Sequence, residues 1–332
     1  MKKTCLITGA TDGIGKQTAL ELAMQGFNLG LVGRNSEKGA SVVSELIHDT
    51  GNNSIRFHYA DLSIMKSVQN LVDEIKRTYE TIDVLLNNAG AYFSKVKVTD
   101  EGLEKTFALN HSSYFYLTTH LLEIVKHGNP GRIINVASTA HKNTKLDFED
   151  IQGINDYKGW PAYGRSKLMN IMFTYECHRR FSDSGVTFNC LHPGFVDSSF
   201  GNNNRGFAKN SIKIAKMIFA IDMVKGAKTS VYLSSSDDVA GISGKYFDKC
   251  KAVQSSKASY EQEDQKKLFA IDIVKGARTS VYLSSSDDVA GISGKYFDKC
   301  KPVQSSKSSY IEGDQKKLWE ATEELIDSLQ IN

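Results

Sequence analysis

Residues 4–25 read TCLITGATDGIGKQTALELAMQ, a short apolar run, a glycine turn and a helical pattern in direct succession. Thr4 to Thr8 is rich in branched side chains and has the length of a buried strand. It ends at Gly9-Ala10-Thr11-Asp12-Gly13-Ile14-Gly15, and helical periodicity follows over Lys16 to Gln25. Glycines in such a turn let the backbone approach a pyrophosphate, and the free N–H groups and positive end of the helix attract it. A glycine turn alone carries little weight, but this one stands between the strand and the helix that the reading requires.

The alternation continues. Phe27 to Val32 reads as a second strand, Ser36 to Thr50 as a helix, Ser54 to His58 as a third strand running into Asp61-Leu62, and Met65 to Tyr79 as an amphipathic helix. Val84 to Leu86 is a fourth strand ending in Asn87-Asn88-Ala89-Gly90, small and amide-bearing residues that suit a ligand at a sheet edge and equally suit a plain turn. Leu103 to Leu122 reads as one long helix with Asn110 inside it, a residue that lowers helix propensity and competes for backbone hydrogen bonds. Arg132 to Val136 is the fifth strand, followed by Ala137-Ser138-Thr139-Ala140. Ala162 to Phe181 is helical, and Thr187 to Leu191 is the sixth strand, closed by His192-Pro193-Gly194-Phe195-Val196.

Strands alternating with helices in this way predict an α/β fold, a doubly wound parallel sheet with right-handed crossovers. Ligands gather at the carboxyl ends of the strands in such sheets. The turns after strands one, two, four, five and six therefore converge on one crevice. After the second strand the chain reads Gly33-Arg34-Asn35, with no acidic residue to accept from a ribose 2′-hydroxyl. That favours NADP(H) over NAD(H), because Arg34 can make charge-assisted bonds to a 2′-phosphate; a surface arginine at a helix start is the plain alternative.

Tyr163-Gly-Arg-Ser-Lys167 sets a phenol and an ammonium on one helix face. A tyrosine with an ordinary pKa of about 10 exchanges protons poorly at neutral pH. A charge about 4 Å away at an effective dielectric of ~20 is worth on the order of 4 kcal/mol, close to the cost of lowering that pKa by roughly three units. Lysine is common enough here that chance can supply one such pair among fourteen tyrosines. Taken alone, the pair reads as a helical tyrosine beside a solvated lysine, and the catalytic reading draws its weight from the rest of the chain.

The chain has 332 residues, 40% apolar and 24% charged, enough to bury a full core. Its 41 basic and 38 acidic residues leave a net charge of +3 with no basic run, which argues against a nucleic-acid partner. Five cysteines without CxxC spacing fit a reducing compartment, and the amino terminus runs straight into the first strand without a signal or membrane-spanning stretch. The expectation is a cytoplasmic protein without a metal, with peripheral membrane contact left open.

Together these motifs resemble the short-chain dehydrogenase/reductase family, in its single-domain branch with the spacing Gly9-x-x-x-Gly13-x-Gly15. The match runs over about residues 4 to 250 and includes Asp61-Leu62, Asn87-Asn88-Ala89-Gly90, Asn110, Ser138, Tyr163 with Lys167, and Pro193-Gly194-x-Val196. The resemblance implies a Rossmann fold and hydride transfer between a nicotinamide and a carbonyl or alcohol carbon, with Asn110, Ser138, Tyr163 and Lys167 as the catalytic group. It implies that Tyr163 exchanges the proton on the substrate oxygen and Ser138 hydrogen-bonds that oxygen. Lys167 would lower the Tyr163 pKa and hold the nicotinamide ribose, and Asn110 would position a water linking Lys167 to solvent. The cofactor would lie against Gly9, Thr11, Asp12, Gly13, Ile14, Gly15 and Arg34. Asp61, Leu62, Asn88, Ala89 and Gly90 would line its adenine and ribose sites, and Pro193, Gly194 and Val196 the nicotinamide side. Within the family, Gly33 to Gly39, Ser138 to His141 and Ser243 to Phe247 look most like the retinol dehydrogenase and WW-domain oxidoreductase group, whose substrates are typically retinoids, steroids or other lipophilic carbonyls. The chain is expected to depart from that group in lacking an amino-terminal membrane anchor, and Ser198 stands where the family often has threonine.

Residues 219–268 recur almost unchanged at 269–318, differing only at positions 223, 228, 252, 258 and 261–263 of the first copy. Each copy has the shape of one carboxyl-terminal unit, a helix over Lys225 to Ser235 and a strand around Lys245 to Phe247, and one sheet has room for one such unit. The organisation expected is a catalytic domain over 1–268, an appended or competing repeat over 269–318, and a terminal helix over 319–332. The first copy is the expected occupant because it follows Val196 at a short spacing. A displaced second copy would expose Val281, Leu283 and Phe297 and could pair with another chain, giving a homo-oligomer. Phe195 to Ile221 would form the substrate-binding loop and helix. Its basic and apolar stretch Lys209 to Ile221 fits a lid over a lipophilic pocket, a membrane contact or a core helix with solvated lysines.

The leading expectation is an NADP(H)-dependent oxidoreductase for a small alcohol or carbonyl substrate. A cofactor-binding regulatory protein would need only the glycine turn and Arg34, and a sugar epimerase would have a different glycine spacing.

Overall fold

Runs of branched side chains that are buried on both faces make parallel strands, and the computed structural model shows β1 (Thr4–Thr8), β5 (Arg132–Val136) and β6 (Thr187–Leu191) buried along their whole length. The structure describes residues 2–194, 222–270, 296–298, 301–303 and Lys316. The other strands of the main sheet are β2 (Asn28–Gly33), β3 (Ile55–Tyr59), β4 (Val84–Asn87), β7 (Lys245–Asp248) and β8 (Lys251–Val253). They lie in the order β3-β2-β1-β4-β5-β6-β7-β8, and every pair is parallel except the edge pair β7–β8. The order changes direction beside β1, which opens a crevice outside the carboxyl ends of β1 and β4.

Helices cover both faces. The helices α1 (Gly13–Met24), α2 (Ser36–Thr50) and α7 (Met223–Ser235) share one core with the sheet, in which Leu22, Leu46 and Leu233 meet Ile7, Leu31, Leu86 and Phe247. The other face carries α3 (Met65–Thr78), α5 (Ser113–Lys126) and α6 (Gly159–Arg180). Asp12 caps α1 by accepting from the Gly13 N–H, Asn35 caps α2 through Lys38, and Gly51 ends α2 in the left-handed region. None of the described helices is long and apolar enough to cross a membrane.

The helix expected as one run over Leu103–Leu122 is three pieces. A single turn, α4 (Lys105–Phe107), widens into a π-turn over Ala108–Ser112 and resumes as α5, so that the Ser113 N–H reaches back to the Ala108 oxygen. The reason is Asn110. Its side chain is held by Ala91 and Ser166, and its main-chain oxygen accepts from Asn170 Nδ2 at 2.9 Å. That carbonyl is drawn out of the regular ladder, and the helix accommodates it with an extra residue.

The chain divides into two compact units, Met1–Ala277 and Arg278–Asn332. In the first, the first copy of the repeat supplies α7 and β7. It also supplies the antiparallel edge strand β8 and most of the helix α8 (Gln262–Ala270), two elements that its periodicity had not suggested; the last two residues of α8, Phe269 and Ala270, begin the second copy. In the second, β9 (Tyr296–Asp298) and β10 (Lys301–Val303) form an antiparallel pair of their own. The expected helix over 319–332, the substrate segment 195–221 with Val196 and Ser198, and the side chains of Val281, Leu283 and Phe297 lie outside the described residues.

Candidate active site

The turn after β1 closes on itself. Gly9 sits at φ +66°, and a Cβ there would come within 2.9 Å of the Ala89 backbone; a Cβ on Gly15 would come within 2.3 Å of the Gly9 oxygen. Only glycine permits that packing of helix α1 against the strand ends. Asn88 fastens the turn from the other side, its Nδ2 donating to the Thr8 and Gly9 oxygens at 2.8 and 3.3 Å and its N–H to Thr8 Oγ1 at 2.8 Å. The result is a cleft of about 310 Å³ across the carboxyl ends of the strands.

Of the residues expected here, Gly9, Thr11, Asp12, Gly13, Ile14, Gly15, Arg34, Asp61, Leu62, Asn88, Ala89, Gly90, Ser138, Tyr163, Lys167, Pro193 and Gly194 all line that cleft. Asn110 does not; it is fully buried just behind Gly90, where a Cβ would meet Lys167 Nζ at 3.2 Å and Asn110 Oδ1 at 3.4 Å. Arg34 is exposed at the rim, at the amino-terminal end of α2, where helix dipole and guanidinium both favour an anion. Asp12, an acid in a turn suited to phosphate, is neutralised by Lys38, whose Nζ lies 2.6 Å from its carboxylate. Asp61 is oriented by Ser63, which donates to Oδ1 from both its N–H and its hydroxyl.

At the other end of the cleft, α6 brings Tyr163 and Lys167 to the carboxyl edge of β5. Lys167 is buried, donates to the Val136 oxygen at 2.9 Å, and stands 5.5 and 5.7 Å from the ring centres of Tyr114 and Tyr163. Burial pulls its ammonium down to about 7. Burial likewise pushes the Tyr163 phenol up to about 12, against a hydrogen bond from Ser138 that lowers it. The lowering expected from Lys167 is not among the causes acting on the phenol, and desolvation, which raises the phenol, also lowers the lysine that was to supply the charge.

Ser138 is held from behind. His141 Nδ1 donates to the Ser138 main-chain oxygen at 2.6 Å, and its Nε2 accepts from the Ser256 N–H at 3.1 Å, so the ring is neutral with its tautomer set by both partners. Burial lowers its pKa, against the raising effect of the Ser138 bond. His192 does the same for the loop after β6: its Nδ1 accepts from the Gly194 N–H at 3.0 Å while Nε2 faces Asp248 at 3.3 Å.

Sequence reasoning passed over Trp160. It lines the cleft one helical turn before Tyr163, 54% exposed, with its ring 5.6 Å from that of Tyr163 and 6.1 Å from that of Tyr92. Its i, i+3 spacing from Tyr163 is the signal that marks it. Ala91 and Leu109 join it in the lining and carry no such signal, since small and aliphatic residues are read from sequence simply as core.

A family model described as short chain dehydrogenase matches residues 3–208. Human retinol dehydrogenase 13 is 38% identical over 253 residues, covering 74% of this chain and 76% of that protein. The WW domain-containing oxidoreductase of Pongo abelii is 33% identical over 270 residues, covering 78% of this chain and 65% of its own. Among solved structures, an uncharacterized protein from Mycobacterium paratuberculosis superposes with a TM-score of 0.65 at 26% identity, covering 83% of this chain and 93% of that one.

Proposed function

The chain belongs to the short-chain dehydrogenase family and is related to the retinol dehydrogenases, and from that premise we propose that it interconverts an alcohol and a carbonyl on a small lipophilic substrate, using NADP(H), with Tyr163 as the general acid and base. The observation that carries this reading is the meeting of Ser138, Tyr163 and Lys167 with the glycine turn in a single cleft. Trp160 in its lining, backed by the Tyr92 ring 6.1 Å away, supports an apolar substrate.

The residues fit a nicotinamide dinucleotide. The close packing at Gly9 and Gly15 leaves the start of α1 open to a pyrophosphate. Arg34 at the start of α2 suits a 2′-phosphate, Asp61 an adenine amine, and Lys167 a ribose hydroxyl. When bound there, NADP(H) supplies or accepts the hydride. Ser138 donates a hydrogen bond to the substrate oxygen. In the reductive direction the Tyr163 phenol gives that oxygen its proton, and in the oxidative direction the phenolate takes it back. The Tyr163 phenol, raised by burial, carries its proton at neutral pH, which is the form that donates in the reductive direction.

The test is NADPH consumption by the purified protein with retinal, steroid ketones and aromatic aldehydes, run beside Tyr163→Phe and repeated with NADH. Turnover with NADPH, weak with NADH and abolished in Tyr163→Phe, is the expected result. NADPH binding without turnover on any of these substrates would overturn the reading in favour of a cofactor-binding regulatory protein.

A further inference from the structure

The first copy of the repeat docks through a small set of buried groups. Val231, Leu233 and Phe247 enter the core beneath the sheet, Tyr246 packs with Tyr175 and Cys190 on the opposite face, and Leu268 is fully buried at the end of the unit. Arg132 Nη1 donates to the Leu233 and Ser236 oxygens at 2.9 Å each, and the Ser256 N–H reaches His141. Each of these groups from the repeat has an identical residue fifty positions later. The seven positions at which the copies differ fall elsewhere: 223, 228, 252 and 261–263 are exposed and 258 is half-buried.

The described strands of the second copy keep the hairpin of the first. In the first copy Tyr246, Phe247 and Asp248 pair with Val253, Ala252 and Lys251. In the second, Tyr296, Phe297 and Asp298 pair with Val303, Pro302 and Lys301, the same register in a separate two-stranded sheet. Proline is tolerated there because β8, which it would replace, is an edge strand. The residue that follows each copy matches in kind. Phe269 packs its ring 5.2 Å from Phe115 under the Arg180 guanidinium, and its counterpart is Trp319.

We propose that the docking face formed by β6, α6, Arg132 and His141 accepts either copy, and that residues 269–318 of the same chain can take the place of residues 219–268. The tether from β6 to the docked helix would lengthen by fifty residues, from about thirty to about eighty, which costs only about four-fold in population by loop-closure entropy. Exchange within one chain needs no partner and proceeds at the high effective concentration of a tethered segment. The nucleotide-facing residues are common to both arrangements, whereas the chain leading away from Gly194 on the substrate side differs in length.

The test is a mutant cycle in the full chain: Phe247→Asp, Phe297→Asp and the double variant, followed by thermal unfolding and sedimentation. Exchange predicts that Phe297→Asp melts like the wild type, and that Phe247→Asp remains folded and monomeric with its folded-to-unfolded ratio reduced about four-fold. Only the double variant should lose its cooperative transition. If Phe247→Asp is as unfolded as the double variant, the copies are not interchangeable and the proposal fails. A rescue of Phe247→Asp that appears only in dimers and vanishes on dilution would also overturn it, placing the exchange between chains.

Discussion

The imidazole of His141 ties the main-chain oxygen of Ser138 to the backbone of Ser256, with Nδ1 donating at 2.6 Å on one side and Nε2 accepting at 3.1 Å on the other. The hydroxyl that faces the cleft is therefore positioned by the carboxyl-terminal unit, far away in sequence, as well as by its own strand. His141 is fully buried and lines no part of the cleft, so it acts through Ser138.

His141→Asn should accordingly separate positioning from binding. The shorter amide cannot span both partners, and a misplaced hydroxyl is expected to lower kcat by about tenfold or more. NADPH affinity, measured by fluorescence titration, should stay within twofold, roughly, because no cofactor-facing group moves. Equal losses in kcat and in cofactor binding would show that the ring supports the whole cleft and does not position Ser138 in particular.

Arg34 is the group that should choose between cofactors. Charge-assisted bonds to a phosphate are worth about 1.5–3 kcal/mol, so Arg34→Ala is expected to weaken NADPH by roughly 10- to 100-fold and leave NADH nearly unchanged. Isothermal titration with both cofactors reads the difference. An equal loss for the two would mean that the arginine serves the adenosine or the start of α2 and does not read the 2′-phosphate.

The fold was legible because each buried strand is a compact apolar run and each turn carries a residue type with one conformational use. Gly9 and Gly15 are glycine because backbone atoms at 2.9 and 2.3 Å leave no room for a Cβ, and that demand shows in the sequence as a spacing. Asn110 announced itself as a misfit in a helix, although the widened turn it produces depends on Asn170, whose contribution no local pattern predicts. The bridge from His141 to Ser256 stayed hidden for the same reason, since it acquires meaning only from a neighbour brought in by the fold. A helix-face argument for Tyr163 counts the charge of Lys167 and omits desolvation, which raises the phenol and lowers the ammonium.

Acid should destabilise the protein through His111. Burial between Phe107 and Phe173 lowers its pKa from 6.5 to about 4, with a hydrogen bond to Asn170 opposing and the Lys167 charge assisting. A histidine with a depressed pKa contributes stability that is present above its unfolded value and lost as pH falls toward the folded one. Between pH 6.5 and about 4, then, the unfolded chain binds the extra proton, and on the order of 3 kcal/mol is lost. His111→Gln keeps a donor for Asn170 and does not titrate, so urea midpoints across that window should be flatter than in the wild type. Parallel pH profiles for the two proteins would assign the acid sensitivity elsewhere.

Lys167 should be costly to stability because its ammonium is buried. Its folded pKa of about 7 lies well below the ordinary lysine value, so below pH 7 the protein keeps a buried charge that the unfolded chain would hold in water. As pH rises from about 7 toward 10 that charge is lost from the folded state while the unfolded lysine still carries it, and the penalty fades. The Val136 oxygen and the faces of Tyr114 and Tyr163 recover part of the cost. Lys167→Met has a similar stem without the charge, and the Val136 oxygen would retain Asn170 Nδ2 at 3.4 Å. At neutral pH the variant is expected to gain about 2 kcal/mol, or roughly 5 °C in Tm, and to lose turnover by about a hundredfold or more. The gain in Tm should shrink as pH approaches 10. A variant that melts lower than the wild type at every pH would show that the hydrogen bond to Val136 outweighs the desolvation of the ammonium.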